Sequence, residues 1–207
     1  MNINVIRDSL RNRERHTWPK VFPKDVDVTK FQRAAVLILL LPIEDDPIGI
    51  SILFNQRSDR VPKHKGQIAF PGGSFKDEDL ELSYTALRET YEENGIRLAF
   101  NDILGQFDDF LTVSSFHVAT FIGYGPSQPR VYKPDGWEVV ESFEVPLSTL
   151  LDDKYHEMKP VEHLGITHKV HYFYASDRVI WGVTGEILAH FLEFLNRNVL
   201  GKNAPII

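Results

Sequence analysis

Short blocks of apolar residues alternate with polar residues along this chain and predict more strands than helices. The longest apolar block runs from Ala34 to Leu41 and is closed by Pro42. A continuous apolar block of this length is typical of a strand that is buried on both faces. A second block, Ile48 to Phe54, follows turn-forming residues at 44–47, so the two blocks predict a β-hairpin.

The remaining pattern predicts a mixture of strands and helices. Strands are expected at residues 67–70, 103–111, 116–124, 168–174 and 179–181, and a strand or extended segment at 137–145. Apolar residues at helical spacing predict helices at residues 2–16 and 183–196, and a helix is also expected at 77–94, with a helical turn at 147–151. Because hairpins dominate and no βαβ repeat occurs, the expected class is α+β, with a mixed β-sheet packed between helices.

The length of 207 residues indicates one domain with an extra N-terminal segment. Residues 1–32 are predicted to form an N-terminal helical arm and an irregular lead-in that contains Pro19 and Pro23. Residues 33–207 are predicted to form a single domain. The arginines of the arm are interpreted as part of a solvated helix face, with contact to an anionic partner as the alternative.

Charge and composition narrow the classes of partner. The net charge of −6 disfavours general binding to nucleic acid or to an anionic membrane, and the absence of cysteine excludes disulfides and thiol catalysis. The N-terminus lacks the apolar core of a signal peptide, and the longest apolar run is far shorter than the roughly 20 residues that span a bilayer. A cytoplasmic protein with a small-molecule partner is therefore expected, and a homodimer and a monomer both stay open.

Residues 70–96 carry the clearest chemical pattern. The run from Phe70 to Gly73 is interpreted as a sharp turn leaving a strand, because paired glycines adopt backbone angles that other residues avoid. The following helix, predicted at 77–94, should end at Gly95, which tolerates the left-handed conformation of a C-terminal cap.

Three glutamates crowd one face of that helix. Glu89, Glu92 and Glu93 have the spacing i, i+3, i+4, at which like charges destabilise a helix unless a positive charge lies among them. A hard divalent cation such as Mg²⁺ binds carboxylate oxygens, and Arg88 can form an ion pair with Glu92 one turn away. Metal ions held in this way neutralise phosphate oxygens and lower the pKa of bound water, so hydrolysis of a phosphoanhydride is the expected chemistry.

A basic loop precedes the glycines. Its members are Arg57, Arg60, Lys63, His64 and Lys65. Because this loop leads directly into the glycine segment, it is interpreted as a binding loop for an anionic substrate rather than as a solvated loop.

Residues 73–96 resemble the Nudix box. The second half matches from Arg88 to Ile96, except that Thr90 replaces a bulky aliphatic residue. In the first half, Asp79 stands where the box has glutamate, and Arg88 comes one residue late. Both departures are similar to the variant box of the coenzyme A pyrophosphatases.

Upstream and downstream segments extend this resemblance over residues 33–195. The signature of the coenzyme A enzymes is matched in register at Leu53, Arg57, Ser58, Gly66 and the run Phe70–Gly73, whereas the chain departs from it at Phe54 and Asn55 and has Pro62 in place of the second arginine. Residues 138–147 and 180–184 also look like that family.

The resemblance implies a Nudix α/β/α sandwich and dependence on Mg²⁺ or Mn²⁺. It implies cleavage of coenzyme A into 4′-phosphopantetheine and adenosine 3′,5′-bisphosphate. Catalytic roles fall on the residues Arg88, Glu89, Glu92 and Glu93, of which the three glutamates would bind metal. Glu89 could instead act near the attacking water.

The resemblance also implies a substrate site beside the metal. Arg57 and Lys63 would meet substrate phosphates, and Gly72 and Gly73 would bring backbone groups close to metal and phosphates. Glu138 and Glu141 are candidates for an additional carboxylate, with an exposed surface role as the alternative. Two other functions stay open, namely a Nudix enzyme for ADP-ribose or a nucleoside triphosphate, and a Nudix module that binds a ligand without turnover.

Overall fold

A mixed sheet of eight strands forms the centre of the fold in a computed structural model, which describes residues 1–19, 27–60, 65–127, 130–163 and 166–201. Its strands are β1 (Thr17–Trp18), β2 (Gln32–Pro42), β3 (Ile50–Arg57), β4 (Ile68–Ala69), β5 (Gly72–Ser74), β6 (Ile103–Leu111), β7 (Phe116–Tyr124) and β8 (Val139–Pro146). A second sheet contains β9 (His156–His163), β10 (Ile166–Ala175) and β11 (Arg178–Ile180). The helices are α1 (Ile3–Arg11), α2 (Leu82–Asn94), α3 (Leu147–Leu150) and α4 (Gly182–Asn198).

The order of the large sheet is β1-β6-β7-β2-β3-β4, with β5 paired to β2 and β8 paired to β3. Strand β2 is parallel to β7 and antiparallel to β3, so the sheet is mixed. The predicted hairpin of β2 and β3 is therefore confirmed.

Strand β2 is buried on both faces, as its apolar run predicts. Alternate side chains of a strand point to opposite sides of the sheet. Accordingly, Ile38 and Leu40 lie in one apolar cluster with residues of α1 and α4, whereas Leu37 and Leu39 lie in another with Ala86 of α2. The predicted α+β fold, with a mixed sheet between helices, is confirmed.

The N-terminal helix contributes to the larger of these clusters. Asn2 caps the helix by accepting a hydrogen bond from the backbone of Asn4, and Ile6 and Leu10 are fully or almost fully buried. The division of the chain into an arm at 1–32 and a domain at 33–207 stays a prediction. Within the described ranges, none of the helices has the length and apolar content needed to cross a membrane.

Besides β5, whose glycines are described below, the prediction missed two strands. Strand β1 has only two residues, and it pairs in parallel with β6. Strand β9 carries many charged and polar residues, and it is extended because it pairs antiparallel with β10 along its whole length. Neither strand has the apolar alternation that a sequence pattern requires.

Candidate active site

The paired glycines are extended, which corrects their interpretation as a sharp turn. Gly72 and Gly73 belong to β5, which pairs antiparallel with Ala35 and Val36 of β2. A Cβ atom on Gly72 would lie 2.3 Å from the carbonyl oxygen of Ala35. Glycine is therefore required here because it lets β5 approach β2 closely, and the backbone bends earlier, at Pro71.

The glutamate helix begins later than the sequence predicts. Asp77–Asp79 forms a separate 3₁₀ turn, Leu80 has a left-handed φ of 53°, and α2 starts at Leu82. The carboxylate of Asp79 accepts hydrogen bonds from the backbone of Lys76 at 2.9 Å and from the hydroxyl of Thr85 at 2.9 Å. This break places Asp79 back over the first turns of α2. The end of the helix is as predicted, since Gly95 caps it with φ 73°.

The guanidinium of Arg88 bonds to four groups, which are the carboxylates of Asp79, Glu89 and Glu92 and the carbonyl oxygen of Ser74. Its guanidinium forms a two-pronged ion pair with buried Asp79, at 2.6 and 2.8 Å. It also donates to Glu89 at 2.6 Å, to Glu92 at 3.0 Å and to the carbonyl oxygen of Ser74 at 3.2 Å. Arg88 therefore does more than the predicted pairing with Glu92, because it also ties α2 to β5 and to the 3₁₀ turn.

The Arg88 guanidinium shifts the pKa of Asp79 strongly downward. The largest cause is the hydrogen bonding from Arg88, which outweighs the opposing effect of burial. The pKa of Arg88 is raised, with its bond to Asp79 as the largest cause. Asp79 is therefore a charged partner that fixes Arg88, although it precedes the helix.

Glu89 and Glu93 lie in poorly solvated surroundings. Burial is the largest cause of a raised pKa at Glu89, although Arg88 acts in the opposite direction. Burial also raises the pKa of Glu93 to about 8, and repulsion by Glu89 adds to this rise. The two acids thus lie within electrostatic range of each other, and of the two only Glu89 has a direct ion pair with Arg88 among the described residues.

Glu93 is bonded to the glycine segment and to strand β3. Its Oε2 atom accepts a hydrogen bond from the backbone of Gly72 at 3.0 Å and another from Nδ2 of Asn55 at 3.1 Å. Gly73 approaches the neighbouring acid, because a Cβ atom there would lie 2.6 Å from Cδ of Glu89. The glycine segment is therefore in direct contact with two of the three helix acids.

Arg57 and Glu138 lie at the side of the acid cluster, which consists of the helix acids Glu89, Glu92 and Glu93. Arg57 forms an ion pair with Glu138 at 2.6 Å, and the charges of both residues affect the pKa of Glu93. Glu141 instead forms two hydrogen bonds with Arg178, at 2.8 and 2.7 Å. Of the two candidate acids, Glu138 is thus the one whose charge acts on Glu93. Lys63, which was predicted to meet substrate phosphates, lies outside the described residues.

The three helix acids fit a hard divalent cation by their chemistry, since carboxylate oxygens are the ligands that such ions bind. In the described part of the chain, however, no three His, Asp or Glu side chains already converge in a metal-binding arrangement. Glu89 and Glu92 are both turned towards Arg88. Metal binding by Glu89, Glu92 and Glu93 therefore stays a prediction.

Asn55 is the site residue that the sequence did not suggest. It differs from the signature of the coenzyme A enzymes, and that difference is the only signal that could have drawn attention to it. Its contact with Glu93 joins residues 38 positions apart, so no local pattern could reveal it.

Comparisons with known proteins agree on one family for this chain. A family model described as NUDIX domain matches residues 31–177. The chain is 35% identical over 163 residues to a protein of Yersinia pestis named "Uncharacterized Nudix hydrolase NudL", and the match covers 78% of this chain and 79% of that protein. A protein of the same name from Yersinia pseudotuberculosis matches equally well.

A solved structure has a similar fold. It is the MutT/nudix family protein from Enterococcus faecalis, with a TM-score of 0.58 and 16% sequence identity. The likeness covers 90% of this chain and 68% of that one. At this identity the likeness concerns the fold alone.

Proposed function

The chain belongs to the NUDIX domain family, and from this membership we propose that it is a metal-dependent hydrolase of nucleoside diphosphate derivatives whose substrate is coenzyme A. In the proposed reaction, the oxygen of water forms a bond to one phosphorus of the diphosphate. The bond from that phosphorus to the bridging oxygen breaks, and a proton is released. The products are 4′-phosphopantetheine and adenosine 3′,5′-bisphosphate.

The position of Arg57 is the observation that supports this substrate best. Arg57 belongs to the coenzyme A signature, and its charge acts on buried Glu93 at the acid cluster. A fixed cation at this point suits a substrate with several phosphates, because a guanidinium binds phosphate oxygens with two parallel hydrogen bonds. The extra 3′-phosphate of coenzyme A increases that attraction.

The residues of the site have separate tasks in this proposal. Glu89, Glu92 and Glu93 would hold Mg²⁺ or Mn²⁺, which when bound supplies charge neutralisation at phosphate oxygens and lowers the pKa of water. Arg88 orients Glu89 and Glu92 through hydrogen bonds, while Gly73 leaves room for the Glu89 carboxylate.

Another substrate is the second candidate. In the coenzyme A signature the second arginine is replaced here by Pro62, which favours a diphosphate derivative without a 3′-phosphate, such as ADP-ribose. A non-catalytic binding module is less well supported, because all three helix acids are present.

A substrate panel tests the proposal. The protein is incubated at millimolar Mg²⁺ or Mn²⁺ with coenzyme A, 3′-dephospho-coenzyme A, ADP-ribose and nucleoside triphosphates, and the products are identified by mass. Release of adenosine 3′,5′-bisphosphate as the fastest reaction is expected. Faster turnover of ADP-ribose would select the second candidate, and ligand binding without any turnover would select the binding module.

Gly73→Ala should lower kcat about 100-fold, because a displacement of roughly 1 Å at a reacting group has a cost of this size. The added Cβ would lie 2.6 Å from Oε1 of Glu89 and would force that carboxylate to move. Turnover of the preferred substrate and the melting temperature are measured together. Ser74→Ala is the control, since its side chain is exposed and only its backbone contacts Arg88. Wild-type kcat in a folded Gly73→Ala protein would refute the placement of Glu89.

A further inference from the structure

Glu93 is held through one of its two carboxylate oxygens. Oε2 accepts both neutral donors, the backbone N–H of Gly72 at 3.0 Å and Nδ2 of Asn55 at 3.1 Å. For Oε1, no hydrogen bond occurs within the described residues. Both partners are neutral amide donors, so they fix one oxygen without supplying a positive charge, and the other oxygen can face a ligand.

Asn55 is itself fixed by a buried pair of amides. Nδ2 of Asn94 donates to Oδ1 of Asn55 at 2.5 Å, and the return contact from Nδ2 of Asn55 to Oδ1 of Asn94 is 3.5 Å. Asn94 also donates to the hydroxyl of Ser142 at 2.8 Å. Because Oδ1 of Asn55 is occupied by a donor, its NH₂ group must face Glu93, and the orientation of the amide is determined.

This network joins three elements at the site. Asn55 lies on β3, Asn94 is the last residue of α2, and Ser142 lies on β8. Both asparagines are essentially inaccessible to solvent, with exposures of 1% and 0%. An unpaired amide is costly in such a place, so the network is held in one arrangement.

We propose that Asn55 is a positioning residue, which holds Oε2 of Glu93 so that Oε1 is the oxygen offered to a divalent cation. This inference rests on the proposed function, which assigns Glu93 as a metal ligand. Residues that hydrogen-bond to a metal-ligating side chain set its orientation, and their loss typically weakens metal binding by about 10–100-fold. Asn55 orients the acid without neutralising it, in contrast to Arg88, which pairs with Glu89 and Glu92 as a cation.

The test is Mn²⁺ binding to the full-length protein, measured by the loss of the free Mn²⁺ signal in electron paramagnetic resonance. Asn55→Ala is expected to raise the Kd for Mn²⁺ about 10–100-fold. Asn94→Ala keeps the Asn55 donor to Glu93 but removes the hydrogen bond that fixes the Asn55 amide. A smaller rise in the Kd for Mn²⁺ is therefore expected. The Mn²⁺ concentration for half-maximal turnover should rise in the same order, while kcat at saturating Mn²⁺ recovers towards the wild-type value.

Asn196→Ala is the matched control. It removes another buried asparagine, with 5% exposure, from α4 on the opposite side of the large sheet, and the Kd for Mn²⁺ should not change. An Asn55→Ala protein that binds Mn²⁺ as tightly as Asn196→Ala would overturn the inference. If Asn55→Ala does not fold, Asn94→Ala and Ser142→Ala decide, and wild-type affinity in both would equally overturn it.

The wild-type protein separates this inference from the proposed function. Wild-type Mn²⁺ binding and turnover with unchanged affinity in the variants would overturn the role of Asn55 alone. A wild-type protein that binds no Mn²⁺ would overturn the metal site and the role of Asn55 together. Metal binding without hydrolysis would overturn the proposed reaction while the variants still report on Asn55.

Discussion

Glu93→Gln is expected to lower kcat about 10³-fold, at the upper end of the loss caused by removing one electrostatic contact to a transition state. Glutamine has nearly the same shape, and its carbonyl oxygen can still accept hydrogen bonds from Gly72 and Asn55. What disappears is the negative charge that would hold the cation. The measurement is kcat for the preferred substrate at saturating Mg²⁺.

The same variant should be at least as stable as the wild-type protein without metal. Burial raises the pKa of Glu93 to about 8 from an ordinary value of 4.5, so the folded protein binds this proton more tightly than the unfolded chain. Wild-type stability should therefore fall as pH rises from about 4.5 to 8, and Glu93→Gln should lack this part of the decline. Urea unfolding across this pH range, with a chelator present, measures the difference.

Glu78→Gln is the control for both measurements. Glu78 is an exposed acid of the 3₁₀ turn that precedes α2, so its replacement should change neither kcat nor the pH dependence of stability. Loss of activity in Glu78→Gln to the same degree would indicate a general charge effect. Full activity in folded Glu93→Gln would refute the assignment of Glu93.

Arg88→Ala is expected to reduce the free energy of unfolding by about 3–5 kcal/mol, the usual cost of removing one partner of a buried ion pair. The variant leaves the carboxylate of Asp79 buried, with 3% of its side chain exposed and its guanidinium partner gone. It also breaks the links from α2 to Ser74 and to the acids of the site. Urea unfolding at pH 7 measures the loss, and catalysis should fall with it.

Acid should reduce the difference between this variant and the wild-type protein. Arg88 holds the pKa of Asp79 below its ordinary value of 3.8, so the pair stabilises the fold above that pH. The contribution is lost as pH falls through the lowered pKa, because the carboxylate is then protonated in the folded protein as well. The stability difference should thus be largest near neutral pH and should shrink below about 3.8.

Arg197→Ala is the matched control for Arg88→Ala. Arg197 pairs with Glu193 on the surface of α4, with 63% of its side chain exposed. Because the guanidinium of this pair lies largely in solvent, we expect the pair to contribute about 0–1 kcal/mol. If Arg88→Ala costs no more than Arg197→Ala, the ion pair with Asp79 does not organise the start of α2 as the geometry indicates.

Local patterns in the sequence predicted much of the framework. The apolar run of β2 requires burial on both faces, and the structure distributes its side chains between two apolar clusters. The strands at 103–111 and 116–124 occur with the predicted bounds. The end of α2 at Gly95 was equally readable, since a left-handed cap depends on the residue at a single position.

Positions that depend on distant partners were predicted less well. The start of α2 was placed too early, because the carboxylate of Asp79 is drawn to Arg88, nine residues later, rather than remaining in a continuous helix. The glycines of β5 were interpreted as a turn, whereas the close approach of β2 requires Gly72 and the Glu89 carboxylate requires Gly73. Both errors arose where a tertiary contact decided the local conformation.

The sequence by itself determined which acids share a face of α2, because helical spacing fixes the relation between Glu89, Glu92 and Glu93. It also determined the family resemblance, which the comparisons support for the family as a whole. Only the tertiary structure decided which groups surround those acids. Gly72 and Asn55 reach Glu93, and Arg57 with Glu138 adds its charges, because strand pairing and helix packing bring together residues that are far apart in the chain.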